Sequence, residues 1–344
     1  MRQILNTLYV MTPNAYVHLE NETLRVEVEG EKKLQVPLHH LGSVVCFGDV
    51  LVSPALMHRC AQDGRSVVLL NRNGRFMARV EGPVSGNILL RQAQFRVAAD
   101  PAFALDTARS IVAGKLRNAR QVLLRGAREA DDGEDRAAIE RAADSLAASI
   151  RALPAAANLD TVRGIEGEAA RTYFDNLTRL LRKDARAAFA MNGRSRRPPR
   201  DRFNALLSFV YSMVMNDCRS ALESVGLDPQ LGFLHAVRPG RAALALDLME
   251  EFRAILADRL VLTLINRGQV SEKDFEERPG GAVHMQDDAR KTVVVAYQER
   301  KQEELTHPLL ESKAPFGLLP DLQARFLART IRGEMEGYLP FLIK

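Results

Sequence analysis

The sequence predicts an α+β chain: a small N-terminal β-rich, sandwich-like domain over residues 1–95, then a larger all-α domain over residues 96–344. Three observations carry this expectation. The N-terminal part alternates apolar and polar residues with period two, as in Leu24-Arg25-Val26-Glu27-Val28-Glu29. From about residue 100 the texture changes to alanine, leucine and arginine at helical spacing. At 344 residues the chain also exceeds the usual domain size of ~100–150 residues.

The elements follow in order. Gly30 offers a turn after the first alternating run, and Leu34-Gln35-Val36-Pro37-Leu38 begins a second. The apolar run Val67-Val68-Leu69-Leu70 is closed by Asn71-Arg72-Asn73-Gly74, a hairpin-type turn, and Arg75 to Val80 resumes the alternation. Only Ser53 to Gln62 reads as a short helix here. This part should form a small antiparallel sheet structure. It has no glycine-rich nucleotide loop, so its expected task is packing or dimerisation. Leu105, Ala108, Ile111, Val112, Leu116, Ala119, Val122 and Leu123 mark a long first helix, which Asp131-Asp132-Gly133 interrupts. A second helix spans Arg136 to about Leu153 and ends at Pro154. Further helices are expected near 161–186, 202–224, 242–265, 287–305 and 319–334, with a loop from Gly268 to about Met285.

Composition narrows the class. Hydrophobic residues make up 46% and charged residues 26%, the balance of a folded soluble protein. No run approaches the ~20 apolar residues needed to cross a bilayer, and no signal-peptide core follows Met1. Three scattered cysteines form no CxxC pair, which suits a reducing compartment, so a cytoplasmic location and no membrane are expected. The net charge is only +5, but it is segregated. Six Lys/Arg face one acid between Asp106 and Arg128, and eight face two acids between Arg182 and Arg202, a block that includes Arg194, Arg196 and Arg197. Seven acids and two arginines lie between Glu129 and Asp144. Such blocks suit a polyanion, because each neutralised phosphate releases counterions. Solvated helix faces would also produce them.

Glu166 carries the chemistry. With Glu166 at zero on a wheel of ~100° per residue, Val162, Ala170, Tyr173, Leu177 and Leu180 all fall within about 40° of it. The carboxylate therefore lies within the stripe that should face the core, where it must be protonated, ion-paired or metal-bound. A structural ion pair with a buried arginine is the plain alternative. His235 follows the apolar segment Leu231-Gly232-Phe233-Leu234 and precedes a Pro-Gly turn, a placement from which a loop can aim a ligand. Asp247, Glu250, Glu251 and Asp258 share one face of a helix, which simple amphipathicity would also give. Glu166, His235 and one or two of Asp247 and Glu250 make a mixed oxygen and nitrogen set suited to Mg²⁺ or Mn²⁺. Asn204 reads equally as a helix cap or a ligand support, and Tyr173 as core with a hydroxyl near the site.

The motifs Gly164-Ile165-Glu166-Gly167 with Ala170 and Tyr173-Phe174, Asn204-Ala205-Leu206-Leu207, Gly232-Phe233-Leu234-His235 and Leu246-Asp247-Leu248-Met249-Glu250-Glu251-Phe252-Arg253 occur in a characteristic order. The chain resembles, over its whole length, the CRISPR-associated endonuclease/integrase of the spacer-acquisition module, and more narrowly its type I-C branch. The resemblance implies a homodimer formed largely through the β domain and a complex with the module's small ferredoxin-like partner protein. It also implies metal-dependent chemistry on double-stranded, sometimes branched, DNA. In that chemistry 3′ ends of a short duplex attack the repeat ends of the CRISPR array, contributing to antiviral defence. The family's ligands match Glu166, His235 and Glu250, with Asp247 the neighbouring acid. Many relatives carry aspartate at the place of Glu250, and a glycine often stands where this chain has Val210. The competing class is a non-catalytic DNA-binding or scaffold protein with structural acids. A hydrolase of small phosphorylated metabolites is disfavoured by the density of cations.

Overall fold

A computed structural model describes residues 7–80, 82, 88–195 and 198–343. The chain divides into two compact units, Met1–Ser85 and Gly86–Lys344. The first is β-rich and the second, larger one is mostly helical, as the two periodicities predict.

The first unit runs β1 (Thr7–Val10), β2 (Tyr16–Glu20), β3 (Thr23–Val28), β4 (Glu31–Pro37), β5 (Ser43–Phe47), β6 (Leu51–Val52), α1 (Pro54–Gln62), β7 (Ser66–Leu70) and β8 (Phe76–Val80). Two four-stranded sheets result, ordered β1-β5-β7-β8 and β4-β3-β2-β6. Leu24 and Val26 of the alternating run are buried with Val10, Val17, Val44 and Leu56. Glu29 and Gly30, with φ of 52° and 78°, form the two-residue turn between β3 and β4. Both angles are positive, as the twist-matched hairpin turn requires. Asn71 Oδ1 accepts the N–H groups of Asn73 and Arg75 at 3.0 and 2.9 Å, closing the β7–β8 hairpin. The sheets are not wholly antiparallel, contrary to expectation: β1 and β7 run parallel to β5, and β6 runs parallel to β2. Period two reports which face of a strand is buried but not the direction of its neighbour, which depends on crossovers such as the one through α1.

The second unit begins with α2 (Ile88–Ala98), a helix in a stretch whose first residues were expected to close the β-rich part; position 95 lies inside it. Then follow α3 (Pro101–Glu129), α4 (Gly133–Ala152), α5 (Leu159–Leu177), the single turn α6 (Lys183–Arg186), α7 (Arg202–Val225), α8 (Ala243–Phe252) and α9 (Arg259–Asn266). Asp132 caps α4 by accepting from Glu134 and Asp135, so Asp131-Asp132-Gly133 is a boundary as read. The helix expected over 161–186 instead breaks after Leu177 into a 3₁₀ turn. Between α8 and α9 the helix widens into a π turn, Arg253–Asp258. The expected loop over 268–285 contains the hairpin β9 (Phe275–Arg278) and β10 (Ala282–Met285). After α10 (Asp287–Gln302) a second hairpin, β11 (Glu304–His307) and β12 (Ser312–Pro315), precedes α11 (Leu319–Ile331). These strands are short and charged, so no alternation betrays them.

Among the described residues no helix is long and apolar enough to cross a membrane. Cys46, Cys60 and Cys218 are all buried thiols, and burial pushes Cys46 up to about 12. That removes them from nucleophilic chemistry.

Helix α8 is enclosed on nearly every side: Ala243, Leu244, Ala245 and all residues from Asp247 to Phe252 are buried. Phe252 stacks on Phe341 with ring centroids 6.5 Å apart. Phe252→Ala should lower the unfolding free energy of the helical unit by ~3–5 kcal/mol, the cost of such a truncation in a closed core. Denaturant titration followed by helical circular dichroism measures it.

Candidate functional site

Asp247 is completely buried, and the segment before α8 folds around it. Its Oδ2 accepts the N–H groups of Phe233 and Leu234 at 2.6 and 3.0 Å, and its Oδ1 accepts that of His235 at 2.9 Å. Gly232 makes this wrapping possible, since a Cβ there would stand 2.6 Å from Asp247 Oδ2 and 2.8 Å from the Ala243 carbonyl carbon. Asp247 Oδ1 also lies 2.7 Å from His235 Nδ1. A carboxylate in that position fixes the orientation of the ring and leaves Nε2 as its outward atom. Asp247 is thus an orienting acid rather than a free ligand.

His235 Nε2 points at Glu250 Oε1, 3.6 Å away. Glu250, one turn after Asp247, is 2% exposed. Its Oε1 also meets Arg253 Nη2 at 3.0 Å. Its Oε2 lies 2.8 Å from Lys115 Nζ. Burial works against the charge on Glu250, but Arg253, Lys115 and His235 outweigh it and hold the group at about 2. The carboxylate is therefore ionised at every physiological pH.

Glu166 reaches the same place from α5. Its Oε1 pairs with Lys115 Nζ, so one ammonium joins Glu166 and Glu250. Arg163, a turn before Glu166, donates to the Leu234 carbonyl at 2.7 Å and ties α5 to the His235 segment. The Glu166 side chain is 26% exposed, so it lies at the open edge of the buried stripe formed by Val162, Ala169, Tyr173 and Leu177 rather than deep within it. The deep acids are Asp247 and Glu250. The shared helix face that simple amphipathicity could explain is in fact buried.

Other expected residues have different jobs. Glu251 turns away from the site, to the Tyr338 hydroxyl, Gln323 Nε2 at 2.9 Å and the Phe341 N–H at 2.7 Å. Burial nevertheless pushes it up to about 7. Asp258 accepts from the hydroxyls of Tyr173 and Tyr211 at 2.9 and 2.6 Å. The Tyr173 hydroxyl is therefore committed to Asp258 and not to Glu166. Asp201, not Asn204, caps α7; Asn204 Oδ1 accepts from Arg194 at 2.5 Å and from the Ser195 N–H at 3.2 Å. Arg194 lies over the Tyr211 ring at 5.2 Å, which makes it part of the internal framework. Arg196 and Arg197 lie outside the described residues.

The reading of the sequence missed Lys115 and Arg253 as site residues. The signal for Lys115 was present. On α3, Ala108, Ile111, Ala119 and Val122 all fall within about 40° of it, so it is a charge in an apolar stripe, like Glu166. Arg253 follows Glu250 by three residues, the spacing of a helical ion pair.

Among the described residues no three His, Cys, Asp or Glu side chains are gathered closely enough to form a ready ligand cluster. The Lys115 ammonium stands between the two glutamates instead. One ammonium joins the two carboxylates, and the oriented imidazole of His235 faces the other oxygen of Glu250. The oxygen and nitrogen donors of Glu166, His235 and Glu250 are of the kind that would suit a divalent ion of the Mg²⁺ or Mn²⁺ type.

Fold and site together define a two-unit protein whose helical unit carries an acid–histidine centre next to buried cations. Residues 8–299 match the family described as CRISPR associated protein Cas1. The chain is 59% identical, over all of both sequences, to "CRISPR-associated endonuclease Cas1 1" of Moorella thermoacetica. It is 51% identical, again over all of both, to "CRISPR-associated endonuclease Cas1 2" of Rhodospirillum rubrum. A solved Cas1 protein from Thermotoga maritima has the same fold, with a TM-score of 0.82 at 23% identity over 97% of this chain and 99% of that one. A chain of a Cas6-RT-Cas1--Cas2 complex gives 0.83 at 24% identity over 98% of this chain, which spans 36% of that longer chain. A casposase bound to integration product gives 0.83 at 19% identity over 97% and 92% of the two chains. The protein belongs to the Cas1 family.

Asp258 sets a pH dependence. Burial pushes it up to about 6, against the opposing hydrogen bonds of Tyr211 and Tyr173 and the charge of Arg253. In the unfolded chain an aspartate ionises near ~3.9, so between about pH 4 and pH 6 the folded state holds the extra proton and stability falls as pH rises. Asp258→Asn mimics the protonated acid and should remove this contribution. The parent's stability relative to the variant should decline by roughly 2–3 kcal/mol from pH 4 to pH 7. A flat difference curve from denaturant titrations would show that Asp258 is not the group responsible.

Proposed function

We propose that the helical unit is a divalent-metal-dependent DNA endonuclease/integrase. In this reading it inserts short duplexes into a CRISPR array by attack of their 3′-hydroxyls on repeat phosphodiesters. The observation that carries the reading is Glu250: buried, held ionised, joined to Glu166 through Lys115 and faced by His235 Nε2. A structural role alone would not require Asp247 to orient the imidazole with Nε2 toward that carboxylate.

Bound Mg²⁺ or Mn²⁺ would supply Lewis-acid polarisation of a phosphoryl oxygen and stabilise charge on the leaving oxygen. The chain's own residues do the rest. Glu166 and Glu250 would provide the negative charge that retains the ion, and Asp247 keeps the His235 ring oriented with Nε2 outward. Arg253 offsets part of the Glu250 charge and fixes its rotamer, while the Arg163 bond to the Leu234 carbonyl holds the His235 segment in register with α5. The substrate class follows from the family and from charge, because exposed arginines such as Arg117 and Arg182 remain on the helical unit.

The assembly is part of the same proposal. The β-rich unit serves as the homodimer contact, and the small ferredoxin-like protein of the adaptation module is the partner. The protein acts in the prokaryotic cytoplasm on double-stranded and branched DNA, in antiviral defence. The Cas1–Cas2 chain noted above supports such an assembly by its fold. The type I-C assignment rests on the motif resemblance.

The test supplies a 3′-hydroxyl duplex and a supercoiled plasmid carrying a repeat, with Mg²⁺, Mn²⁺ or EDTA, in the presence and absence of the small partner. Glu166→Gln and Glu250→Gln should each reduce nicking and integration by at least ~100-fold, the upper end of what losing even an outer-shell partner costs. EDTA should abolish both. DNA binding should persist in the variants and weaken steeply with salt, by roughly 10³-fold or more between 50 and 200 mM if six or more phosphates are contacted. A folded Glu166→Gln protein that reacts at the parental rate would favour the non-catalytic DNA-binding or scaffold role.

A further inference from the structure

The ammonium between the two glutamates has a further consequence. Lys115 is only 12% exposed, and its Nζ contacts both Glu166 Oε1 and Glu250 Oε2. Its hold on Glu250 is mainly one of charge, with the directional hydrogen bond the lesser part. The other Glu250 oxygen is served independently, by Arg253 at 3.0 Å. Glu250 thus keeps one permanent cationic neighbour on Oε1 and offers Oε2 to whichever cation is present. A lysine suits the exchangeable post, being a compact point charge on a flexible stem, whereas an arginine fork would lock the carboxylates in place. The stem also borders a small cavity of about 20 Å³, lined by Ala169, Ala170, Tyr173, Phe174 and Tyr211 among others.

We propose that Lys115 is a tethered counter-cation: it bridges Glu166 and Glu250 and offsets part of their charge while the site lacks metal, and a divalent ion binds by displacing its ammonium. The inference rests on the metal-site reading above. It explains how two acids can face each other across a half-closed site without an ion to hold them. Without Lys115 they would repel, and Glu250, being buried, would lose one of the charges that compensate it. Metal binding is therefore a cation exchange at constant ligand charge, and the intrinsic affinity is reduced by the cost of moving the lysine. Once displaced, the ammonium is released at the site edge, where it can meet a phosphate oxygen.

Mn²⁺ binding measured by electron paramagnetic resonance, without DNA, tests the idea in the full-length parent, Lys115→Met, Lys115→Gln and Glu166→Gln. The two lysine variants should bind Mn²⁺ roughly tenfold more tightly than the parent, a factor equal to ~1.4 kcal/mol. Their metal-free melting temperatures should be lower and should recover more on Mn²⁺ addition. Glu166→Gln should bind Mn²⁺ more weakly. A fourth readout needs no variant: amine acylation of the parent, mapped by peptide mass spectrometry, should label Lys115 more when Mg²⁺ is present. If Glu166→Gln binds Mn²⁺ as the parent does, the metal-site reading falls and this inference with it. If Glu166→Gln is weakened but the lysine variants bind no more tightly, or Lys115 labelling does not rise, the metal site stands and the counter-cation role is overturned.

Discussion

A carboxylate removed from water carries a desolvation penalty of several kcal/mol, which nearby cations and donors must offset. In this protein that carboxylate is Glu250, and much of the helical unit is arranged around it. Arg253 follows on the same helix, Lys115 comes from α3, and His235 arrives from the segment that wraps Asp247. Each partner is itself secured elsewhere. Arg253 lies over the Tyr211 ring at 5.1 Å, and Tyr211 is bonded to Asp258. His235 depends on Asp247, which depends on the absence of a side chain at Gly232. Removing one member of such a set leaves uncompensated charge in a low-dielectric setting, so the site and the local fold are not separable.

Helix α8 achieves this by carrying two adjacent glutamates with opposite assignments. Glu250 faces the site, and Glu251 anchors the C-terminal segment through Tyr338 and the Phe341 N–H. Asn118 of α3 completes the anchor by donating to the carbonyls of Glu251 and Phe341 at 2.9 and 2.8 Å. Lys115 stands three residues before Asn118. Two polar side chains on the same helix therefore clamp α8, one through its chemistry and one through its backbone. Both acids are buried, yet their protons behave oppositely: cations surround Glu250, whereas neutral donors surround Glu251.

Much of this was legible in the sequence. Alternation located the buried face of β3, the apolar run Val67 to Leu70 located β7, and helical spacing located α3, α4, α7 and the α8–α9 run. The parallel strand pairs and the two charged hairpins were not legible, because neither strand direction nor short polar pairing leaves a periodic trace. The helical wheel placed Glu166 beside the inner stripe but overestimated its burial, since a wheel carries no information about where a neighbouring helix ends. It undervalued Asp247 and Glu250 for the same reason: an acidic stripe looks solvated until the surrounding helices are in place. Lys115 was hidden among basic residues, although its place within an apolar stripe set it apart. Two opposite charges misplaced on the inner faces of separate helices are a pairing signal stronger than either charge alone. Joining of DNA, as opposed to cutting, was never readable from these residues; only the family likeness suggests it.

The π turn at Arg253–Asp258 bears on how the chain can change length. On an unbroken α-helix Asp258 would lie ~80° round from Glu250, eight residues earlier. The wider turn absorbs about one residue and brings both acids toward α5, where Glu250 meets Glu166 through Lys115 and Asp258 meets Tyr173. The run therefore contains a spare position. Losing one residue there would restore a regular ladder of hydrogen bonds and leave both faces near their present orientation. Gaining one would swing everything beyond it by about a quarter turn. Along this helix, insertions and deletions are unequal events, and the chain has room for only one of them.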